Sequence, residues 1–475
     1  MGKLSRTVAL AGKGRVIAPK KARKVGPVST LDMGQFGSLK SVPVEDRKSH
    51  VNVLDKVSSF DQLRIDPFLR QKIRRNLLKS PDMPPTPVQK VAIKALARPT
   101  VGLDRREWLI AAETGSGKTL SYLAPMITKL IDQHQDMQSE PEAAEDAPQE
   151  EKSQVCIGGI VLVPTTDLAK QVMETVEKIQ PPGFRTAMMA GLGSTPTQLA
   201  HKVAQGLDLV VASPDKLLKM HAFAPQLMTR AFTETRNLVV DEADSLMNQS
   251  FEPSTTKLVS MLPELEDLVF VTATIPAWFD KTLRRNYPTM TRLVTPSIHR
   301  LPRNIEFKVV EVAHRPYNNN KQLALQQALY AIYNDKSEPG IVKRVLVFVN
   351  LKREVKPLVN MLKNAGYAAV DLGENRENLD QFLEAQAKNP KSDDTGNEMQ
   401  VLVATDLLAR GVDFHKVRNV ILYDMPKNAA DLLHRAGRTG RLGTKGRVIL
   451  LVNKSEQKSW VRGLETIVKR GVALA

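Results

Sequence analysis

The residues best suited to chemistry lie at positions 112–119, which read Ala-Glu-Thr-Gly-Ser-Gly-Lys-Thr between two apolar runs. Gly115 and Gly117 allow a tight turn in which several backbone N–H groups converge, and a following helix N-terminus adds positive potential there. Lys118 can then contact the outer phosphates of a nucleotide, while the Thr119 hydroxyl can bind Mg²⁺. The phosphate-binding loop pattern Gly-x-x-x-x-Gly-Lys-Ser/Thr has a glycine where this chain has Ala112. The stretch predicts a nucleotide site; the alternative is a glycine-rich turn that binds nothing.

A second group of candidates ends an apolar run, Leu-Val-Val-Asp-Glu-Ala-Asp at 238–244. Phosphoryl transfer needs one acidic group to position Mg²⁺ and another to orient or deprotonate the attacking water. Asp241 suits the first role and Glu242 the second. The alternative is an acidic helix N-cap after a strand, which is a common arrangement. The presence of Lys118 in the same half of the chain favours the catalytic interpretation.

Basic residues near the C-terminus could supply the charge that a phosphate-binding loop lacks. The run His-Arg-Ala-Gly-Arg-Thr-Gly-Arg at 434–441 places Arg438 and Arg441 three residues apart, on one face of a short helix or turn. A second domain can provide such arginines to the γ-phosphate of a nucleotide held by the first. The alternative is a phosphate-binding basic patch or a solvated helix.

Two series of short apolar runs, separated by helix-length segments, must position these residues. Runs rich in Val, Ile and Leu predict parallel sheets that helices cover on both faces. The predicted strands of the first half are 108–112, 159–163, 186–189, 207–212, 238–241 and 268–272. Those of the second half are 305–312, 345–349, 368–372, 401–404, 419–423 and 446–451. The sequence therefore predicts two α/β halves, of which only the first carries a phosphate-binding loop.

Length and composition limit the class of protein. A chain of 475 residues, 42% of them hydrophobic, can bury two ordinary cores. No apolar run approaches the ~18 residues that cross a bilayer, so no membrane span is expected. The formal net charge of +17 favours a polyanionic partner or an acidic membrane surface. The single cysteine, Cys156, excludes an intrachain disulfide and a cysteine-cluster metal site, and is interpreted as a small buried hydrophobe.

Four segments lie outside the predicted cores. Residues 1–31 contain eight basic and no acidic residues, so 1–50 is interpreted as a basic, largely disordered extension, either an organelle-import presequence or a nucleic-acid-binding arm. The acidic stretch 132–154 and the polar stretch 388–399 are predicted to be insertions, the first of them disordered. Prolines predict a flexible linker at 298–304, between domains at 51–297 and 305–475.

The sequence Asp-Glu-Ala-Asp at 241–244 resembles the signature of the DEAD-box RNA helicases of superfamily 2. The other motifs of that family follow in order over most of the chain. The resemblance implies two tandem RecA-like domains, ATP and Mg²⁺ as cofactors, and RNA as the partner. The run Pro-Thr-Pro-Val-Gln at 85–89 resembles the Q motif, in which Gln89 contacts the adenine edge and an upstream aromatic stacks on the ring. Phe60 is the expected aromatic, and Phe68 is a second candidate.

The resemblance assigns the remaining motif residues to four roles. The implied ATP site contains Phe60, Gln89, Ala112, Glu113, Thr114, Gly115, Ser116, Gly117, Lys118, Thr119 and Asp413, with Thr119 and Asp241 on Mg²⁺. The implied RNA contacts are Pro164, Thr165, Gly191, Ser213, Pro214, Thr405 and Arg410. The implied interdomain coupling residues are Asp244, Thr272 and Thr274. The implied catalytic set is Lys118, Asp241, Glu242, Arg438, Arg441 and His434, the last as a relay between Asp244 and Thr272.

The chain departs from the family pattern in the RNA motifs. Thr166 and Asp167 stand where the family has Arg-Glu, which removes a basic group near the RNA groove. Ala190 replaces the first glycine of a Gly-Gly pair, and 213–216 read Ser-Pro-Asp-Lys instead of Thr-Pro-Gly-Arg. No glutamine precedes Arg376 at the family's spacing. Because of these departures, weaker binding of RNA than in the rest of the family remains an alternative.

The implied mechanism is a clamp that ATP and RNA close together. Each ligand would bind across both domains, so the two should bind cooperatively, and hydrolysis would reopen the clamp. Two alternatives remain at this point. One is an ATP-gated RNA clamp or scaffold with little strand separation, and the other is a DNA translocase of superfamily 2.

Local features resemble one branch of the family. The divergent motif at 164–171, the Leu-Leu entry to the 434–441 run, and Ser459 with Trp460 resemble the fungal mitochondrial DEAD-box helicases linked to the large mitoribosomal subunit. This resemblance implies a matrix location, structured mitochondrial rRNA as the substrate and the assembling large subunit as a partner. Nucleus and cytoplasm are the alternative locations. A monomer is expected.

Overall fold

The computed structural model forms two compact units. It describes residues 7–9, 36, 39, 56–78, 80–98, 105–139, 155–191, 194–295, 298–335, 342–373, 382, 399–406, 414, 417–440, 444–457 and 460–474. The first unit holds most described residues up to Ile298, and the second begins at His299. Among the described helices, none is long and apolar enough to cross a membrane.

The first unit is built on an eight-stranded sheet in which every observed pairing is parallel. Its strands, in chain order, are β1 (Thr7–Ala9), β2 (Arg106–Ala111), β3 (Ile157–Leu162), β4 (Thr186–Met189), β5 (Leu207–Ala212), β6 (Asn237–Val240), β7 (Asp267–Thr272) and β8 (Thr291–Val294). The order across the sheet is β1-β8-β2-β7-β6-β3-β5-β4. All residues of β5, β6 and β7 are buried, as a parallel sheet covered on both faces requires.

Helices cover both faces of this sheet. They are α1 (Pro67–Asn76), α2 (Pro87–Leu96), α3 (Lys118–Ser139), α4 (Thr166–Ile179), α5 (Pro196–Ala204), α6 (Pro214–Phe223), α7 (Pro225–Thr233), α8 (Ala243–Leu246), α9 (Glu252–Ser260) and α10 (Ala277–Asn286). Successive strand residues enter different cores: Ile110 packs in one cluster, and Leu109 and Ala111 pack in the other. This alternation follows from the two-residue period of a strand.

The second unit contains a six-stranded parallel sheet in the order β11-β12-β10-β13-β14-β9. Its strands are β9 (Ile305–Glu311), β10 (Lys343–Phe348), β11 (Ala368–Asp371), β12 (Met399–Ala404), β13 (Asn419–Leu422) and β14 (Gly446–Val452). Its helices are α11 (Lys321–Tyr333), α12 (Lys352–Asn364), α13 (Ala429–Ala436) and α14 (Leu464–Arg470). Two core clusters again separate alternate strand residues, with Leu346 and Phe348 in one and Val345 and Val347 in the other.

The predicted α/β class is confirmed, and ten of the twelve predicted strands differ at their ends by one or two residues. Strand β8 was missed because it is short and contains Arg292, which does not read as a core residue. Strand β1 was missed because 1–50 was read as an extension. Cys156 is only partly buried, whereas a buried side chain was expected.

Residues 132–139 are helical, which contradicts the disorder predicted for 132–154. Helix α3 continues to Ser139, because no Gly or Pro occurs between Pro125 and Pro141. His134 in this extension lies 3.0 Å from the buried carboxylate of Asp208, which ties the helix to the sheet. Residues 140–154 lie outside the described part. The predicted polar insertion 388–399 also ends one residue too late, because Met399 is the first residue of β12 and is buried.

The segment predicted to be a flexible linker, 298–304, is packed. Ile298 belongs to a core cluster of the first unit, and Leu301 to one of the second. The backbone carbonyl of His299 accepts a hydrogen bond from the N–H of Leu474 at 2.8 Å, so the two ends of the second unit are joined. The prolines mark the change of unit, but apolar residues between them are used for packing.

Five described residues of the segment 1–50 belong to the folded units. Thr7–Ala9 pairs in parallel with Arg292, Leu293 and Val294 of β8. Phe36 and Leu39 are buried in a core cluster of the second unit. The ring of Phe36 stacks on that of Trp460, with 4.2 Å between ring centroids. Part of the basic extension is therefore structural.

A buried ion pair joins α10 to β8 in the first unit. Arg292 is almost fully buried and its Nη1 pairs with a carboxylate oxygen of Asp280. The Nε and Nη2 groups of Arg292 have no hydrogen-bond partner among the described residues. Burial raises the pKa of Asp280, but the guanidinium groups of Arg292 and Arg284 outweigh it and hold that pKa below its ordinary value. Among the described residues, Asp280 is thus the only carboxylate that pairs with the buried guanidinium of Arg292.

We expect Asp280→Ala to lower the free energy of unfolding by about 3–5 kcal/mol, because it leaves Arg292 charged, buried and unpaired. The matched control is Arg284→Ala, which removes the partly exposed partner of the same carboxylate at 2.9 Å. That change should cost less than about 1 kcal/mol. Urea denaturation followed by circular dichroism measures both. Equal losses in the two variants would contradict the assignment.

Candidate nucleotide and RNA site

Most candidate residues of the first unit lie at one edge of its sheet. Because all strands are parallel, their carboxyl ends meet at the same edge, which is where ligands bind in such sheets. The loops after β2, β7 and β6 carry the nucleotide candidates, and these three strands are neighbours. The loops after β3, β5 and β4 carry the RNA candidates, and these strands are the next three. Strand order alone therefore separates a nucleotide part of the edge from an RNA part.

The loop after β2 has the geometry of a phosphate cradle. Gly115 and Gly117 have φ of 75° and 86°, so both adopt the left-handed conformation that side chains disfavour. Helix α3 begins at Lys118, so its N-terminus faces the loop. The Nζ of Lys118 donates to the carbonyl of Ala112 at 2.8 Å, which holds the amine across the loop. The Oγ of Ser116 is buried with no hydrogen-bond partner among the described residues.

Gln89 connects the Q motif to this loop. Its Oε1 accepts from the backbone N–H of Thr86 at 2.8 Å, and its Nε2 donates to the carbonyl of Gly117 at 3.4 Å. The Thr86 hydroxyl donates to the carbonyl of Ser116 at 2.8 Å. These contacts arise because Thr86 and Gln89 form a capping box at the start of α2. The Q motif therefore supports the loop in addition to any contact with a base.

The aromatic residue expected to stack on adenine is placed differently from the prediction. Phe60 is 1% exposed and packs in a core cluster of the first unit, so its ring offers no open face. Phe68, the second candidate, is half-buried in α1, and Lys72 lies over its ring at 5.2 Å. Sequence spacing cannot separate a stacking ring from a core ring, because both are apolar positions.

Asp241 and Glu242 follow β6 directly. Burial raises the pKa of Asp241 to about 6 and Glu242 adds to the rise, while a hydrogen bond from Tyr122 opposes it. The Tyr122 hydroxyl donates to Asp241 at 2.8 Å from within α3. Glu242 has a φ of 48°, a strained conformation for this residue that is often found at active sites. Its Oε2 is buried with no hydrogen-bond partner among the described residues.

Tyr122, which the sequence analysis did not name, contacts the candidate residue Asp241 directly. It is fully buried, and burial raises its pKa well above the ordinary value, so it acts as a neutral donor. Its position four residues after Lys118 is one helical turn on, and that spacing could have pointed to it.

The three predicted coupling residues of the first unit are in contact. Thr274 Oγ1 donates to Asp244 at 2.6 Å, and Thr272 Oγ1 donates to the carbonyl of Thr274 at 2.8 Å. All three side chains are buried. Direct hydrogen bonds therefore connect the end of β7 to the acidic turn after β6.

The RNA candidates of the first unit form helix starts. Thr165 caps α4, accepting from the N–H of Leu168 at 3.3 Å. Ser213 precedes α6 without a side-chain cap, and Pro214 begins that helix. Gly191 has a φ of 71°, and a Cβ there would lie 2.7 Å from Thr166. Helix N-termini and an open glycine turn offer backbone N–H groups, which suits contact with RNA phosphates.

In the second unit, Arg435 forms hydrogen bonds with residues of three loops. The sequence analysis did not assign it a role. This side chain is 0% exposed and donates to both carboxylate oxygens of Asp406, at 2.6 and 2.7 Å. It also donates to Asn350 Oδ1 at 2.6 Å and to the carbonyl of Asp424 at 3.1 Å. One guanidinium therefore joins the carboxyl ends of β12, β10 and β13.

The remaining candidates of the second unit are placed only in part. Arg438 follows α13 and is buried, with its Nε donating to the carbonyl of His434 at 3.2 Å. Thr405 is buried directly after β12. Three predicted residues, Arg410, Asp413 and Arg441, lie outside the described residues.

Comparison with known proteins decides the family. The family described as DEAD/DEAH box helicase matches residues 86–282, and the helicase conserved C-terminal domain matches 324–443. An ATP-dependent RNA helicase of Candida albicans, MRH4, mitochondrial, is 34% identical over 539 residues, covering 96% of this chain and 96% of that protein. The chain belongs to the DEAD-box family of ATP-dependent RNA helicases. MRH4 of Saccharomyces cerevisiae is also 34% identical, with 96% of this chain and 90% of that protein covered.

Solved structures of DEAD-box helicases show the same fold. The helicase Mss116 bound to ssRNA and UDP-BeF has a TM-score of 0.67 and 21% identity, covering 88% of this chain and 78% of its own. Dbp5 of S. cerevisiae bound to RNA and ADP BeF3 has a TM-score of 0.59 and 20% identity, covering 87% of this chain and 100% of its own. The predicted pair of RecA-like domains is confirmed.

We expect Gly117→Ala to weaken ATP binding at least about tenfold. Its Cβ would lie 2.4 Å from Gln89 Nε2, and φ there is positive, so the loop must distort or lose its contact with Gln89. The matched control is Gly183→Ala, because Gly183 has a φ of 81° with nothing within 4 Å of the added carbon. Titration with a fluorescent ATP analogue measures both affinities. Equal affinities for ATP in the two variants would count against a role of Gly117 in binding.

Proposed function

We propose that this DEAD-box helicase acts in mitochondria, where it hydrolyses ATP to remodel structured ribosomal RNA of the large subunit. The observation that carries this proposal is the arrangement of residues at one edge of the first unit. Lys118, Asp241 and the Asp244–Thr274 contact follow three neighbouring strands there, beside the RNA candidates. Nucleotide state at the first three loops can thereby influence the loops that hold RNA.

Within this proposal each residue of the nucleotide part has one task. Lys118 leaves the carbonyl of Ala112 to contact the outer phosphates, and the loop N–H groups hold the others. Glu242, with its unpartnered buried oxygen, orients and deprotonates the attacking water. Arg438 and Arg441 supply positive charge to the γ-phosphate when both domains engage one ATP.

The chemistry of the donors fits Mg²⁺. Asp241 offers carboxylate oxygens and Thr119 a hydroxyl, and Mg²⁺ is usually bound by one or two such oxygens together with phosphates and water. Among the described residues there is no cluster of three His, Cys, Asp or Glu side chains that would favour another metal. When bound, Mg²⁺ neutralises charge on the phosphates. Tyr122 holds Asp241 in place for it.

RNA would be held through its backbone by the helix starts after β3 and β5 and the turn after β4. A hydroxyl and amide surface of this kind reads phosphate and sugar, so it does not depend on base sequence. The replacement of the family's arginine by Thr166 favours a second candidate, an ATP-gated clamp with little unwinding. Measurement of duplex release together with ATP turnover separates the two, because turnover without release indicates the clamp.

The mitochondrial assignment is supported by the relatives and by charge. The relatives named above are called mitochondrial. Residues 1–31 carry eight basic and no acidic residues, which is typical of an import presequence. The resemblance to the helicases of large-subunit assembly supports the choice of RNA. We propose that the protein acts as a monomer, because one chain carries the motifs of both domains.

We expect Glu242→Gln to lower RNA-stimulated ATP hydrolysis at least about 100-fold, with ATP affinity close to that of the unchanged protein, because it removes the base but not the phosphate contacts. Glu264→Gln, an exposed change in the same unit, is the control and should retain full activity. Crosslinking of the Glu242→Gln protein in mitochondria should enrich large-subunit rRNA. The function falls if ATP hydrolysis persists in this variant, and the substrate assignment falls if no mitochondrial RNA is enriched.

We expect the Mg²⁺ requirement of the ATPase to rise at acid pH. Asp241 has a pKa of about 6, so it becomes protonated as the pH falls through 6 and its affinity for Mg²⁺ decreases by about tenfold per unit below that. Tyr122→Phe removes a donor that lowers this pKa, so its transition should move to higher pH. Tyr287→Phe, a buried tyrosine packed on Phe270, is the control.

The measurement is the Mg²⁺ concentration for half-maximal ATP hydrolysis between pH 5.5 and 7.5. Protonation of ATP affects all variants alike, so the prediction concerns the difference between Tyr122→Phe and Tyr287→Phe. Identical profiles for these two variants would show that Asp241 does not set the Mg²⁺ requirement.

A further inference from the structure

A cavity of about 490 Å³ opens in the second unit, away from the motif residues. Ile305, Lys343, Asn419 and Gly446 line it, and each is the first residue of its strand. The motif residue Thr405 and two partners of Arg435, Asn350 and Asp424, instead follow the ends of β12, β10 and β13. Because the sheet is parallel, the cavity lies at the edge opposite the motif residues.

The cavity is positively charged. Its basic lining residues outnumber the acidic ones by five to two and are Arg303, Lys343, Arg418, Lys445 and Arg447. Arg447 pairs with both acidic residues, lying 2.5 Å from Asp335 and 3.4 Å from Glu306. The acidic groups are therefore already compensated.

Lys343 forms the charged floor of the cavity. It is 1% exposed and its Nζ donates to the carbonyls of Tyr333 and Asp335, at 2.5 and 2.6 Å. These two acceptors hold the Nζ group within the wall of the cavity. Such a buried charge, positioned by the last turn of α11 and its continuation, attracts an anion that enters the cavity.

Two exposed aromatic side chains lie on the same helix end. Tyr330 is 67% exposed and Tyr333 is 39% exposed, and neither lines the cavity, which this helix borders through the buried Ile332. Residues 321–333 include no acidic residue, so nothing on this helix repels a polyanion. A basic groove binds unpaired RNA through its phosphates, so the charge of the cavity suits such a ligand.

We propose that this cavity is a second RNA-binding site that takes an unpaired nucleotide and its phosphates. The proposal rests on the proposed function in its choice of RNA as the ligand. The cavity volume is in the range of small-ligand sites, so it admits one nucleotide but not a duplex. An acidic peptide would satisfy the same charges, and the competition experiment below distinguishes it from RNA.

The site would hold a different part of the RNA from the motif residues. It lies at the opposite edge of the sheet, so a strand bound there stays attached when hydrolysis releases the strand held by the motifs. A structured RNA with an unpaired flank would thus be retained through several rounds of hydrolysis, whereas a short strand would be lost after each one.

The test compares a fluorescein-labelled RNA of six nucleotides with a hairpin that carries a long unpaired flank, both with a non-hydrolysable ATP analogue. The variants are Arg303→Glu with Lys445→Glu, and separately Tyr330→Ala, all at exposed positions. Lys363→Glu is the charge control, because this exposed lysine lies on α12 and does not line the cavity. Fluorescence anisotropy measures affinity as a function of salt.

The double variant should bind the hairpin at least about tenfold more weakly, and its salt slope should fall by about 1.4, as expected for two lost contacts to single-stranded phosphates. Tyr330→Ala, which lies on the same helix but outside the cavity, and Lys363→Glu should change neither. ATP hydrolysis stimulated by the six-nucleotide RNA should be unchanged in all variants.

Unchanged hairpin affinity in the double variant would overturn the proposal, as would equal losses for the short RNA and the hairpin. Competition by poly-glutamate but not by poly-uridine would overturn it in favour of an acidic protein partner. Failure of the proposed function looks different, because the unchanged protein would then show no stimulation of ATP hydrolysis by RNA.

Discussion

The parallel direction of every strand is the constraint on which the rest of the structure depends. A parallel strand can be followed by another only after a crossover, so each strand ends in a loop at the same edge. The order β2-β7-β6 then brings the phosphate loop, the paired threonines and the acidic turn side by side. None of these groups is close to another in sequence. The same constraint sends the starts of the strands to the other edge, where the second unit has its basic cavity.

Each buried charge at these edges is held by a few specific hydrogen-bond partners. Tyr122 donates to Asp241 without bringing a charge of its own, so the carboxylate can still bind a cation. Arg435 is satisfied by Asp406, Asn350 and the backbone of Asp424. In the first case burial keeps an acidic group reactive, and in the second a full set of hydrogen bonds makes a basic group inert. Arg435 is thus fully engaged by its neighbours, whereas Arg438, three residues further on, is the residue proposed for the γ-phosphate.

Sequence predicted the fold and the phosphate loop well, because apolar periodicity and glycine spacing are local signals. Through family resemblance it also placed Asp244, Thr272 and Thr274 in one group, which the structure joins by hydrogen bonds. It missed β8, because a strand that contains Arg292 does not read as apolar, and only a counterion from α10 permits its burial. It missed Tyr122 and Arg435, because their importance comes from residues far along the chain. It assigned Phe60 to stacking on the adenine ring of ATP, whereas the side chain is part of the core of the first unit.

The stacking of Phe36 on Trp460 has a consequence for the ends of the chain. Since Phe36 fills part of the core of the second unit, a peptidase that removed it would expose the indole of Trp460 and leave a gap beside Leu39. Because Thr7–Ala9 pairs with β8, the loss of residues 1–35 would already remove a strand of the first unit before it reached Phe36. A recombinant protein that starts at residue 51 would lack a piece of its own core, and it would be prone to aggregate for reasons unrelated to ATP or RNA.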